Sequence, residues 1–234
     1  MTPAVTIQNL HVAYNSEEVL KDITLAFPKS QLSAIIGPNG AGKTTLLKAM
    51  LGLIPTSKGT ISFAKDIPCI AYVPQTAAID WDFPVTVSDV VMMGRYGRLG
   101  WFKRPKAADR QAVSDALSAV DMIPYACRQI GLLSGGQQQR VFLARAIAQC
   151  ADIYLMDEPF KGVDQQTERA IITLLKALRD QGKTIISVHH DLQTVPDYFD
   201  HAALINLRVV ANGPVSEVFH TQNILTLFAK EPAQ

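Results

Sequence analysis

The sequence predicts an α/β fold: a mostly parallel sheet covered by helices, with a strand-rich N-terminal part and a helical insertion. Three observations predict it. Short apolar runs of strand character alternate with segments whose apolar residues recur at helical spacing. The first sixty residues carry strand runs and few helical stretches. Residues from about 80 to 135 carry little strand pattern. At 234 residues the chain is long for an ordinary domain but within reach of one large α/β domain, which is expected to span 1–234.

Runs at 6–12, 32–36, 60–63 and 70–73 read as strands, and the early ones suggest an antiparallel sheet beside the glycine-rich turn that follows Ile36. In the insertion, Val113, Ala116, Leu117 and Val120 keep i, i+3, i+4, i+7 spacing, with Pro105 near the start. Runs at 153–156, 184–188 and 202–205 read as strands again. Between the first two of these, Ile171, Leu174, Leu175 and Leu178 repeat the helical spacing, and Gly182 is a stop. Strands that alternate with helices call for parallel pairing. A short helical tail over 215–230 follows, so no regulatory domain is expected there.

Hydrophobic residues make up 48% and charged residues 18%, which suits a globular chain that needs no disulfide staples. A formal net charge of +1 speaks against binding nucleic acid through bulk electrostatics. Cys69, Cys127 and Cys150 are widely spaced with no C-x-x-C pair, and they read as small buried apolar residues in a reducing compartment. The N-terminal stretch lacks the basic-then-apolar order of a secretory signal. No apolar run approaches the ~18 residues of a membrane-spanning helix, so any membrane role is expected to be peripheral.

The segment GPNGAGKTT comprises Gly37, Pro38, Asn39, Gly40, Ala41, Gly42, Lys43, Thr44 and Thr45. It fits G-x-x-x-x-G-K-[ST], with the strand run LSAII before it and the helical LLKAMLGL after it. Glycines let successive backbone N–H groups turn toward phosphate oxygens, and the helix start adds its positive end. Lys43 can reach the β- and γ-phosphates, and the Thr44 hydroxyl can ligate Mg²⁺. The other reading is a glycine-rich turn with a surface lysine; the strand-before, helix-after context weighs against it.

The run IYLMDEP fills a buried strand and then ends on two acids, Asp157 and Glu158. Parallel sheets place ligands at the carboxyl ends of their strands. Asp157 is suited to hold Mg²⁺, and Glu158, one residue on, points differently and can accept a proton from attacking water. Alone, the pair is also compatible with an acidic turn that caps the next element. Earlier in the chain, LSGGQQQR places Ser134 as an N-cap ahead of the helical VFLARAIAQC, with Gly135 and Gly136 exposing backbone N–H groups at a helix start. That makes a second anion-binding candidate.

In this order of motifs the chain resembles the ATP-binding-cassette (ABC) family over nearly its whole length. The resemblance implies a phosphate-loop ATPase core with an N-terminal antiparallel β subdomain, an inserted helical subdomain, and hydrolysis of ATP with Mg²⁺ as cofactor. It assigns Tyr14 to stacking on adenine, although an aromatic packed in a strand fits the same position. It assigns Gln75, after IAYVP, to sensing Mg²⁺ and the attacking water, although a solvated loop amide fits too. LSGGQ, with Ser134, Gly135, Gly136 and Gln137, is the family signature. Asp157 matches the magnesium acid, Glu158 the catalytic base, Asp164 the aspartate at the dimer contact, and His190 the histidine on the γ-phosphate. The resemblance further implies two cassettes head to tail, each ATP held by one chain's phosphate loop and the other chain's signature. The implied partners are a second ATPase subunit, membrane permease subunits and an extracytoplasmic binding protein, at the cytoplasmic face of the inner membrane.

The segments FPVTVSDVV and GRYGRLGW, within 79–105, and HHDLQTV look like the manganese, zinc and iron importers of bacteria. Importers of siderophores, haem and cobalamin are the alternative branch. One departure is Lys161 in EPFKGVD, where the first branch usually has a small or uncharged residue. Trp81, Trp101, Met92 and Met93 read as packing residues or as an apolar dock at a subunit surface. The histidines at 11, 189, 190, 201 and 220 form no ligand cluster, so the chain is not expected to hold the transported metal. Non-transport cassettes usually carry coiled-coil insertions or tandem cassettes, and no sustained heptads occur here. An exporter is disfavoured by the metal-branch resemblance, and a non-hydrolysing module by Glu158 and His190.

Overall fold

The computed structural model describes residues 2–15, 17–65, 67, 69–75, 84–99 and 103–229. Strands Pro3–Tyr14 (β1) and Glu17–Pro28 (β2) come first, followed by Leu32–Ile36 (β3), helix Lys43–Met50 (α1), Lys58–Phe63 (β4) and Ile70–Val73 (β5). Helices Val87–Leu99 (α2) and Ala107–Ala119 (α3) and two 3₁₀ turns, Ile123–Tyr125 and Ile130–Leu132, lead to Gly135–Ala148 (α4). Then come Ile153–Asp157 (β6), Gln165–Asp180 (α5), Thr184–Val188 (β7), Val195–Tyr198 (α6), His201–Asn206 (β8) and Arg208–Pro214 (β9). Helices Val215–Val218 (α7) and Thr221–Phe228 (α8) end the described part.

Two sheets result. The first is antiparallel, in the order β2-β1-β4. The second has six strands in the order β5-β6-β7-β3-β8-β9, parallel except for the β8–β9 hairpin. Its central strands are buried on both faces, as parallel sheets require. In β6, Ile153 and Leu155 join the apolar cluster under the antiparallel sheet and α1, while Tyr154 and Met156 join the cluster under the helices. In β3, Ile35 faces the first cluster and Leu32, Ala34 and Ile36 the second. That period-2 alternation fixes the register, because a slip of one residue would exchange the two cores.

This topology positions the site. The carboxyl ends of β5, β6, β7 and β3 lie on one edge of the sheet, and the chain leaves them toward Gln75, Asp157, His190 and the phosphate loop, respectively. Asp157 pairs with Val188 across the ladder, and Val188 pairs in turn with Ile35, so the acid lies level with the start of the loop.

All seven strands read from the sequence are present, and two more occur among the described residues. In β2 the alternation is interrupted: Asp22 sits at φ 52 and Asn9 of β1 at φ 46, both where the register shifts, and Asn9 Nδ2 donates to Asp22 Oδ1 at 2.9 Å. Short polar side chains tolerate that left-handed backbone, which bulges the pair and shifts the pattern. In β9, Asn212, Gly213 and Pro214 read as turn residues, yet they pair with His201, Ala202 and Ala203 at the sheet edge.

The cysteine reading needs correction. Cys69 is half-buried, and Cys127 and Cys150 are exposed. Both exposed residues lie in connections rather than in an element, and Cys150 follows the end of α4 at φ 51. Met92 packs against the core and Met93 is exposed. Trp81 and Trp101 lie outside the described residues. Among the described residues no helix is long and apolar enough to cross a membrane.

Candidate functional site

The loop between β3 and α1 is packed into the sheets. A Cβ at Gly37 would lie 2.0 Å from the Ile205 carbonyl oxygen. At Gly42, which has φ +87, a Cβ would lie 2.4 Å from Leu20 Cδ2. Only glycine allows both the backbone angle and that approach. Ala41 N–H donates to the Pro38 carbonyl at 3.2 Å, and Leu207 N–H donates to the Ala41 carbonyl at 3.2 Å. The loop is therefore held from the β8–β9 turn as well as from within.

Asn39, Gly40, Ala41, Gly42, Lys43, Thr44 and Thr45 line a cavity of about 240 Å³, together with Val19 and Glu158. Lys43 is buried, and its Nζ donates to the carbonyls of Gly37 at 2.9 Å and Pro38 at 2.8 Å. Burial pushes its ammonium pKa down, while the carboxylates of Glu158 and Asp157 oppose that shift. Thr44 Oγ1 donates to Asp157 Oδ1 at 3.1 Å. Burial pushes the Asp157 carboxyl up, and the Thr44 hydrogen bond works against it. Two hard oxygen donors, a hydroxyl and a carboxylate, thus adjoin at the cavity. That donor set suits Mg²⁺, which is bound through one or two protein oxygens with phosphate and water completing the shell.

Glu158 follows β6 at φ 52, a left-handed angle unusual for a glutamate. The turn sends Asp157 and Glu158 in different directions. Lys161 Nζ lies 2.9 Å from Glu158 Oε2. That oxygen has no hydrogen-bond partner among the described residues, so the approach is an ion contact. Val19 and Lys161 are the two site residues that motif reading did not assign. No spacing signals Val19. For Lys161 the signal was present: an acid and a base three apart around a proline.

None of the remaining candidates Tyr14, Gln75 and His190 lines this cavity. Gln75 is half-buried two residues past β5, and His190 is exposed two residues past β7. His189 points inward instead. It is 1% exposed, its Nε2 lies 2.7 Å from Thr194 Oγ1, and burial lowers its pKa to about 4. Tyr14 ends β1 with 44% of its surface exposed and does not line the cavity.

The signature residues occupy a different helix start. Ser134 caps α4 in a reciprocal box: Gln137 N–H donates to Ser134 Oγ at 3.4 Å, and Ser134 N–H to Gln137 Oε1 at 3.0 Å. A Cβ at Gly135 would meet nothing within 4 Å, and one at Gly136 would meet Val163 at 3.7 Å. Asp164 caps α5 beside it, accepting from Thr167 N–H and Oγ1, both at 2.9 Å. Those bonds hold its carboxyl below the usual range. None of Ser134, Gly135, Gly136, Gln137 and Asp164 lines the phosphate-loop cavity.

The family model described as ABC transporter matches residues 20–161. The chain is 56% identical over 225 residues to the manganese transport system ATP-binding protein MntB of Bacillus subtilis (strain 168), covering 94% of this chain and 90% of that protein. It is 53% identical over 221 residues to the zinc transport system ATP-binding protein TroB of Treponema pallidum (strain Nichols), covering 92% and 83%. A solved structure presented as a metal-chelate type ABC transporter in an inward-facing conformation superposes with a TM-score of 0.88 at 30% identity, covering 97% of this chain and 89% of that one.

Proposed function

This chain belongs to the ABC transporter family, and we propose that it is the ATP-hydrolysing subunit of an importer of divalent metal ions. One observation carries the ATPase reading: Thr44 and Asp157 touch beside the cavity that Lys43 and Glu158 share. Those four residues come from two strand ends with β7 between them, and phosphoryl transfer uses a lysine, a metal-holding hydroxyl and carboxylate, and a base of these kinds. The substrate class rests on the manganese and zinc relatives named above. A chelate importer is the second reading, favoured by the likeness to the metal-chelate type transporter at 30% identity.

The chain's residues divide the work. Backbone N–H groups from residues 39–45 cradle the phosphates, and the start of α1 adds its positive end. Lys43 exchanges its two carbonyl partners for β- and γ-phosphate oxygens. Thr44, Asp157 and Gln75 would hold Mg²⁺, which when bound would neutralise the charge that develops on the phosphates. Glu158 accepts the proton of the water that attacks the γ-phosphorus, and His190 faces the same phosphate. Tyr14 supports the adenine. Ser134, Gly135, Gly136 and Gln137 act in trans on the nucleotide of a second copy, across a contact that includes Asp164. Permease subunits at the membrane and an extracytoplasmic binding protein complete the complex, with this chain at the cytoplasmic face.

Replacing Glu158 tests the enzyme reading. Glu158→Gln should keep ATP binding, measured by calorimetry, and lose about 10²–10⁴ in phosphate release, the range of a general base. Phosphate release at the wild-type rate would remove the assignment.

A further inference from the structure

We propose that Lys161 is a positioning residue for Glu158, an ammonium built into the turn after β6 that holds the carboxylate and restrains hydrolysis. The inference rests on the reading of Glu158 as the base, and it names a control on that base.

The turn is made for this contact. Lys161 N–H donates to the Glu158 carbonyl at 3.1 Å, which closes the backbone between them. The two intervening residues, Pro159 and Phe160, are buried. Phe160 meets the His189 ring edge-on at 5.5 Å and the Tyr198 ring at 6.0 Å. Left-handed angles at Glu158 (φ 52) and Gly162 (φ 74) bracket the turn. A backbone fixed in this way brings the first and fourth side chains together, and Nζ and Oε2 meet at 2.9 Å.

The two partners differ in exposure. The Glu158 side chain is 12% exposed and the Lys161 side chain 63%, so the base faces the cavity and the cation faces water. The contact with the Glu158 carboxylate holds the Lys161 ammonium above its ordinary range, so it stays charged. A pair so exposed biases a conformation without locking it. A cation seated on one carboxylate oxygen limits that carboxylate's rotation toward the water it must activate. Lys161 thus acts through Glu158, and its removal should free the base.

The test uses the purified full chain, with steady-state phosphate release at several ATP concentrations. Lys161→Met keeps the length and removes the charge. Its kcat should rise about two- to fivefold, the size expected of an exposed ion pair, with KM changed less than about twofold. Lys161→Arg should bring kcat back toward wild type. In a Glu158→Gln background, Lys161→Met should leave ATP affinity unaltered. A kcat for Lys161→Met equal to or below wild type would overturn the inference. So would an equal change of ATP affinity in both backgrounds, which would make Lys161 a nucleotide contact. The two readings fail separately: an active Glu158→Gln removes the base itself, whereas an inactive Glu158→Gln beside an unchanged Lys161→Met removes only the restraint.

Discussion

Both anion-binding candidates are glycine-rich helix starts, yet the chain builds them in opposite ways. The loop of residues 37–45 is clamped between β8 and β2, and added atoms at Gly37 or Gly42 would collide with neighbours. Its lysine is buried, and its threonine is bonded to an acid from another strand. The start of α4 is exposed, satisfied by its own Ser134–Gln137 box, with open space over Gly135. The first site is assembled within one chain; the second is a presented surface. The glycines therefore answer different needs. In the loop they answer the chain's own packing, and at Gly135 the space is free for something that approaches from outside.

Substitutions should separate the two. Gly37→Ala places a methyl group against a backbone carbonyl, which cannot swing away, and overpacking of that kind costs about 1–3 kcal/mol or more. Gly135→Ala meets nothing and improves helix propensity, so stability should move by less than ~0.5 kcal/mol. Chemical denaturation of the two variants checks this pair, and equal losses would erase the contrast. Lys43→Ala should weaken ATP binding by about 10- to 100-fold, as loss of a charged donor implies, while Ser134→Ala should leave ATP binding by the single chain nearly unaltered. Calorimetry on both variants reads that difference.

Acid should act on the loop side. His189 and His201 are buried neutral, with pKa values lowered from 6.5 to about 4, mainly by burial. The unfolded chain therefore binds protons first as pH falls below 6.5, and stability present above that value is lost on the way down toward 4. At pH 5 the loss is about 2 kcal/mol for each imidazole. His189 packs under Phe160, in the turn that carries Glu158, whereas the α4 cap has no titratable member. Hydrogen exchange at pH 7 and pH 5 should show opening around 158–164 before the start of α4. Ser134→Ala should cost about 1 kcal/mol of stability in the same denaturation experiment, the size of a lost cap.

The sequence was more legible at one of these sites than at the other. Glycines, Lys43 and Thr44 at fixed spacing, with a strand before and a helix after, announce a phosphate loop because sterics leave few other uses for that pattern. Asp157 at the end of a buried apolar run was legible for a similar reason. Its contact with Thr44 was not, because that depends on strand order and on β7 lying between. Bulged β2 and edge strand β9 escaped because Asp22, Asn212 and Gly213 look like turn residues until pairing partners are known. The Ser134 cap was readable, but its exposure was not, since exposure is a tertiary property. Cys127 and Cys150 failed for the same reason: composition gives average burial, and these two lie in connections.

The central claim is that Lys43, Thr44, Asp157 and Glu158 of one chain surround one triphosphate. A crystal structure of Glu158→Gln grown with ATP and Mg²⁺ tests it most directly. The account predicts triphosphate density along residues 39–45, Lys43 on its terminal oxygens, and metal density beside Thr44 and Asp157. Nucleotide bound elsewhere, with Lys43 still on the Gly37 and Pro38 carbonyls, would contradict it.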